Sequence, residues 1–137
     1  MSNGGVLPLI DPNERVARFI LRRSHLRHDR TVKQDAFIPH PYPDLSVTRH
    51  LQISETRIWE IGRNIAREIG QPLRGRADVQ VFVFQRQELH VIEAPLLENP
   101  NHANVTGWPA EKPAQKIIAQ RIAAAAGKAV DPPPNSV

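Results

Sequence analysis

The clearest pattern in the chain is an apolar stripe after Ile53. Ile58, Ile61, Ile65 and Ile69 recur at i, i+3, i+7 and i+11, while Arg57, Glu60, Arg63, Asn64, Arg67 and Glu68 take the opposite face. That period belongs to an amphipathic helix. Ser54 stands where a hydroxyl can accept from a free backbone N–H of the first turn. Ile53 and Ile58 have the spacing of a hydrophobic staple, and Gly70 followed by Pro72 stops the run. The pattern predicts a helix over 54–69. A second helix is predicted over 110–126. Pro113 is tolerated only in its first turn, Ile118, Ile122 and Ala125 form a stripe with Ala114 behind it, and Gly127 ends it. "RVARFIL" (15–21) and "LSVTR" (45–49) read as strands, and "DAFIP" (35–39) as a short extended piece.

Residues 75–95 admit two readings. Val79, Val81 and Val83 alternate with Gln80, Phe82 and Phe84, so local propensity favours a strand. With "LHVIEAP" (89–95) as a second strand, the pair would make a hairpin. Alternatively, Ala77-Asp78 caps a short helix to about Gln87, with the second strand following it.

Thirteen prolines and two terminal runs define the boundaries. Residues 1–13, with Gly4-Gly5, read as a flexible arm. Residues 127–137, with three consecutive prolines, read as a disordered tail. Between them, 14–126 is expected to be one α+β domain, with short strands packed on two amphipathic helices and, on the second reading of 78–87, a further short helix.

The composition narrows the chemistry. There is no cysteine, which excludes disulfides and thiol chemistry and fits a cytoplasmic protein. No apolar run approaches the roughly 18 residues of a membrane span, and the N-terminus lacks the basic and apolar regions of a signal peptide. The formal net charge is +4 over 137 residues, which suits an anionic partner such as a nucleotide, RNA, DNA or an acidic protein.

Three stretches concentrate polar groups. Arg22 to Lys33 holds Arg22, Arg23, His25, Arg27, His28, Arg30 and Lys33. Guanidinium forks match phosphate oxygens, and the plain alternative is a solvated basic loop. In "LRGRAD", Asp78 can pair with Arg76 or cap the segment after it. "NHANVTGWP" (101–109) combines His102, Asn104 and Trp108 ahead of a helix start whose free N–H groups favour an anion, with Lys112 and Lys116 nearby. Its plain alternative makes Trp108 a plug in the core. The candidate ligand-binding residues are Arg23, Lys33, Arg49, Arg76, Asn104, Trp108, Lys112 and Lys116. The candidate catalytic residues are His102 and His25 as acid or base, with Asp78 orienting a histidine. No metal or cofactor is expected. There is no His-Glu-x-x-His pattern, no phosphate-binding glycine loop, no dinucleotide fingerprint and no Gly-x-Ser-x-Gly elbow.

The segments "RFILRRSH", "VKQDAFIP", "LSVTRH", "TRIWEIG", "LRGRAD" and "HANVTGWP" with "KPAQKIIAQRIAAAA" together resemble a family of small uncharacterised bacterial proteins over about residues 15–126. The resemblance implies a bacterial or phage setting. It also implies a helix followed by a strand after "GRAD", which favours the short helix near 78–87 over the hairpin. His25, Lys33, Arg49, Arg76, Asp78, His102, Asn104, Trp108 and Lys116 match the family text, and the match assigns them no role.

The sequence thus points first to a module binding an anionic ligand, a nucleotide or nucleic acid, at the His/Asn/Trp loop together with the basic loop. The second reading is an interaction partner of a larger bacterial assembly, in defence, toxin or mobile-element systems. The third is an enzyme on a phosphorylated or nucleotide substrate.

Overall fold

The computed structural model describes residues 10–134. Strand β1 (Arg15–Ile20) is followed by a 3-10 turn at Arg23–His25 and another at Gln34–Phe37. Then come β2 (Leu45–Arg49), helix α1 (Glu55–Ile69), β3 (Gly75–Gln80), the short helix α2 (Val81–Gln85), β4 (His90–Glu93), β5 (His102–Thr106) and helix α3 (Lys112–Ala126). The five strands form one antiparallel sheet in the order β3-β1-β2-β5-β4. The chain is a small single α+β domain. Among the described residues no helix is long and apolar enough to cross a membrane.

Side chains alternate across a strand, and β1 divides its own between two cores. Val16 and Ile20 join the main core, where α2, α3 and the 34–37 turn add Val81, Phe84, Ala119, Ile122, Ala36 and Phe37. Ala17 and Phe19 point to the other face and meet Ile58 and Trp59 of α1. The strand pairing places Asp78 opposite Ala17 and Arg76 opposite Phe19, so both charged residues of β3 share the face that α1 covers.

Helix α1 has the predicted ends. The Ser54 hydroxyl accepts from the Arg57 N–H at 3.0 Å, and Gly70 takes a left-handed conformation at φ 77°. Its buried line differs from the isoleucine stripe. Ile58, Trp59, Ile61, Gly62 and Ala66 are buried, while Ile69 is 57% exposed. Small residues let the helix sit close on β1, and that approach sets its rotation. In α3 the same thing happens: Gln115, Ala119, Ile122 and Ala123 are buried, whereas Ile118 is half-buried and Ala125 exposed.

The expected short helix near 78–87 is present as α2, but it starts at Val81 and a strand precedes it. Strand β3 ends where its partner ends, at Gln80 opposite Arg15. The chain before Arg15 turns away, with the Glu14 N–H bonded to Asp11, and its carbonyls at Pro12 and Glu14 accept from Phe82 and Val81. With no strand left to pair, the backbone after Gln80 closes on itself.

Three expectations change. "DAFIP" is not extended. Its first part is the 3-10 turn that buries Ala36 and Phe37. "NHANVTGWP" is not a loop, because His102–Thr106 is a strand flanked on both sides by β2 and β4, with Ala103 and Val105 fully buried. The segment after Gly127 lies on the domain. Lys128 bridges Thr31 and Val130 bridges Arg76. Of the two expected terminal segments, residues 1–9 and 135–137 lie outside the described residues, and Ile10 is buried in the main core.

Candidate anion-binding cleft

The basic stretch folds into a compact excursion between β1 and the 34–37 turn. Its neck is closed by the bridge between Leu26 and Val32, and Lys33 returns a backbone bond to His25. At its tip the Asp29 carboxylate accepts from the Thr31 N–H at 3.0 Å and from the Thr31 hydroxyl at 2.7 Å. These bonds hold the Asp29 carboxyl below its ordinary pKa. This local turn lets Arg30 adopt φ 73°, a conformation that needs local support in a non-glycine residue.

The excursion packs against the chain entering β3. The Arg30 Nη2 donates to the Arg74 carbonyl at 2.9 Å, and the Arg74 N–H donates to Ile20 at 2.8 Å. Between the two segments lies an open cleft of about 280 Å³ lined by Arg23, Leu26, Arg27, His28, Arg30 and Arg74. Four arginines therefore line one space, together with a single aliphatic side chain and the imidazole of His28. The Arg27 Nη1 donates to the Val32 carbonyl at 3.1 Å, which orients that side chain. The Arg74 Nε–H is buried and has no partner among the described residues. Such a donor leaves its desolvation cost uncompensated, of about 1–3 kcal/mol.

The sequence-predicted residues fall into separate places. Arg23 lies in the cleft. Lys33 is half-buried at the start of the 34–37 turn, outside the lining. Arg49 is engaged by acidic neighbours, with Glu14 at 2.6 and 2.8 Å and Glu93 at 3.0 Å. The Glu14 bonds, and the charges of Glu14 and Glu93, outweigh its burial and raise its pKa.

Arg76 is 3% exposed and turned the other way, under α1. It donates twice to Glu55 at 2.8 Å and to Asp78 at 3.0 and 3.2 Å, and it stacks over the Trp59 ring at 4.8 Å. Asp78 lies 2.9 Å from the Nε2 of His50, not beside either candidate catalytic histidine. Burial pushes the Asp78 carboxyl up, and the His50 and Arg76 bonds and charges override it, so its pKa lies below the ordinary value. His25 is half-buried. Desolvation, then the charges of Arg18 and Arg22 against that of Asp35, lower its pKa from 6.5.

The third stretch does not join the basic one. Trp108 is half-buried against the main core and donates its indole N–H to the Val105 carbonyl at 3.0 Å. The His102 Nδ1 lies 2.9 Å from the Ala94 carbonyl. Asn104 shares the strand face of His102 and Thr106. Lys112 and Lys116 are exposed on the first turns of α3. The basic excursion is instead tied to the far end of that helix, through the Val32 N–H and Gly127 carbonyl at 3.0 Å. Fifteen residues of helix separate the two ends, about 22 Å.

Arg27, His28, Arg30 and Arg74 are the functional candidates not chosen from the sequence. Each lay in a stretch singled out for its polar groups. The missing signal was the long-range contact that brings residues 23–30 to residue 74. No family model, no curated protein and no solved structure matches the chain.

Proposed function

We propose that the protein is a binding module for a phosphate-bearing anion, a nucleotide or nucleic acid, seated in the cleft of Arg23, Arg27, His28, Arg30 and Arg74. The observation that carries this reading is the gathering of Arg23, Arg27, Arg30 and Arg74 around one cleft, with the Arg74 Nε–H buried and without a partner among the described residues. Like charges gathered around one space repel, and an unpaired buried donor is unfavourable. One ligand with several anionic oxygens relieves both, because each guanidinium offers paired N–H donors in the spacing of phosphate oxygens.

The lining also speaks to how the ligand is held. The only ring among the lining residues is the His28 imidazole, so stacking is confined to it and to the guanidinium planes, and charge with hydrogen bonding carries most of the affinity. Arg49 and Arg76, already matched by carboxylates, take no part.

The test is fluorescence anisotropy of end-labelled single-stranded RNA and DNA dodecamers, with ATP and inorganic pyrophosphate as competitors, at several salt concentrations. The expected result is saturable binding that weakens linearly on a log–log salt plot and falls about tenfold or more in Arg74→Ala. A flat titration, or loss in Lys112→Ala and Lys116→Ala with Arg74→Ala unchanged, overturns the reading.

A further inference from the structure

The chain beyond α3 reaches Arg30, one of the residues that line the cleft, and it brings a carboxylate. After Gly127 the backbone runs beside the basic excursion and then beside the start of β3. The Ala129 N–H donates to the Arg30 carbonyl at 2.9 Å. Val130 and Arg76 exchange backbone bonds of 2.8 and 3.1 Å. Gly75 makes room for this strap: a Cβ there would lie 2.9 Å from the Val130 carbonyl oxygen and 3.4 Å from the Arg30 Nη2. The next residue, Asp131, forms an ion pair with the Arg30 Nη2.

The atom it uses matters. A guanidinium grips phosphate through two parallel N–H bonds, either end-on from both Nη atoms or side-on from Nε and Nη2. Both forks need Nη2. On Arg30 that nitrogen already donates to the Arg74 carbonyl and to Asp131. The carbonyl is fixed in the backbone that enters β3. The carboxylate is on a side chain 71% exposed, paired with an arginine side chain 40% exposed, and ion pairs of that exposure are weak.

Resting on the proposed anion-binding function, we infer that Asp131 is a built-in competitor: its carboxylate holds the Arg30 fork until a ligand phosphate displaces it. The strap sets the resting affinity of the cleft. The side chain exchanges while the backbone pairing of Ala129 and Val130 stays in place.

The experiment compares full-length wild type, Asp131→Asn and Glu98→Gln for binding of a labelled dodecauridylate at physiological salt. Glu98 is an exposed carboxylate in the loop after β4, and its variant reports the effect of net charge alone. Asp131→Asn is expected to bind about two- to fivefold more tightly, the range of an exposed ion pair, with Glu98→Gln unchanged. The gain should vanish in an Arg30→Lys background, which keeps the charge but removes the fork. Thermal unfolding of each variant checks that the fold is kept.

If Asp131→Asn binds no better than wild type while Arg74→Ala still abolishes binding, the competitor role falls and the anion site stands. An equal gain in Glu98→Gln, or a gain that persists with Arg30→Lys, also overturns it. If neither wild type nor Asp131→Asn binds, both the site and its competitor are refuted.

Discussion

Gly62 of α1 lies against the ring of Phe19 on β1, so close that a Cβ on residue 62 would sit 2.6 Å from a ring carbon. A glycine inside a helix is unfavourable by about 1 kcal/mol relative to alanine. Here that cost sustains the contact by which α1 closes over Phe19 and Arg76. Gly62→Ala regains helix propensity but overpacks the interface, which costs about 1–3 kcal/mol. We expect a net loss of about 1 kcal/mol by urea denaturation. Phe19→Leu in the same chain should recover part of it. An alanine variant more stable than wild type would show that the ring moves aside freely.

The same interface buries Arg76 among Glu55, Asp78 and Trp59. Removing one member of a buried ion pair leaves the other charged and poorly solvated. Arg76→Met keeps the length of the side chain over Trp59 but strands Asp78. Its unfolding free energy should fall by about 3 kcal/mol or more, while nucleic-acid binding at the cleft is retained. A variant of wild-type stability would mean that His50 alone suffices to hold the Asp78 carboxylate.

Asp78 also makes stability depend on pH. Its folded pKa is lowered from 3.8, so its contribution is fully present above that value. It is lost as pH falls through the folded value, because the unfolded chain then binds the proton first. Urea midpoints measured from pH 6 down to pH 2 should fall steeply below about pH 4 in wild type. The fall should be shallower in Asp78→Asn, and an identical acid limb in the two proteins would remove Asp78 from the account.

Trp108 separates the two ends of α3 experimentally. Its indole N–H donates to Val105, next to the turn that leads into that helix. Trp108→Phe keeps most of the buried ring and loses one hydrogen bond, about 1 kcal/mol. Thermal unfolding should register this loss while anisotropy titrations of the labelled dodecamers stay unchanged. Weaker binding with unchanged stability would return the ligand to the His102–Trp108 end of the molecule.

Much of the fold was legible because it rests on neighbours in sequence. Ser54 caps α1 through a bond to Arg57 three residues on, Gly70 ends it by its own left-handed conformation, and Pro113 constrains the start of α3. Strand β2 was legible from an alternating run that is β-branched in part, and β1 from a short run followed by a polar stretch. Strand β5 carried its own period-2 signal, with Ala103 and Val105 inward and His102, Asn104 and Thr106 outward. That signal was short and set among Asn, Gly and Pro, residues that favour turns. A strand with few branched residues is stabilised chiefly by its partners, and those lie on β2 and β4.

The candidate site shows the same division more sharply. Which stretches are basic is a property of sequence, and the runs 22–33 and 74–76 were both apparent. Which arginine serves which purpose was decided by the fold. Arg74 and Arg76 are two residues apart, yet one lines the cleft and the other lies buried beneath α1. The end of α3 delivers Gly127 to Val32 and Asp131 to Arg30, across about a hundred residues of chain. Local sequence determines charge, caps and periodicity because those act within a few residues. Charge neutralisation acts through space, so only the packed chain determined which cations met carboxylates and which were left facing solvent.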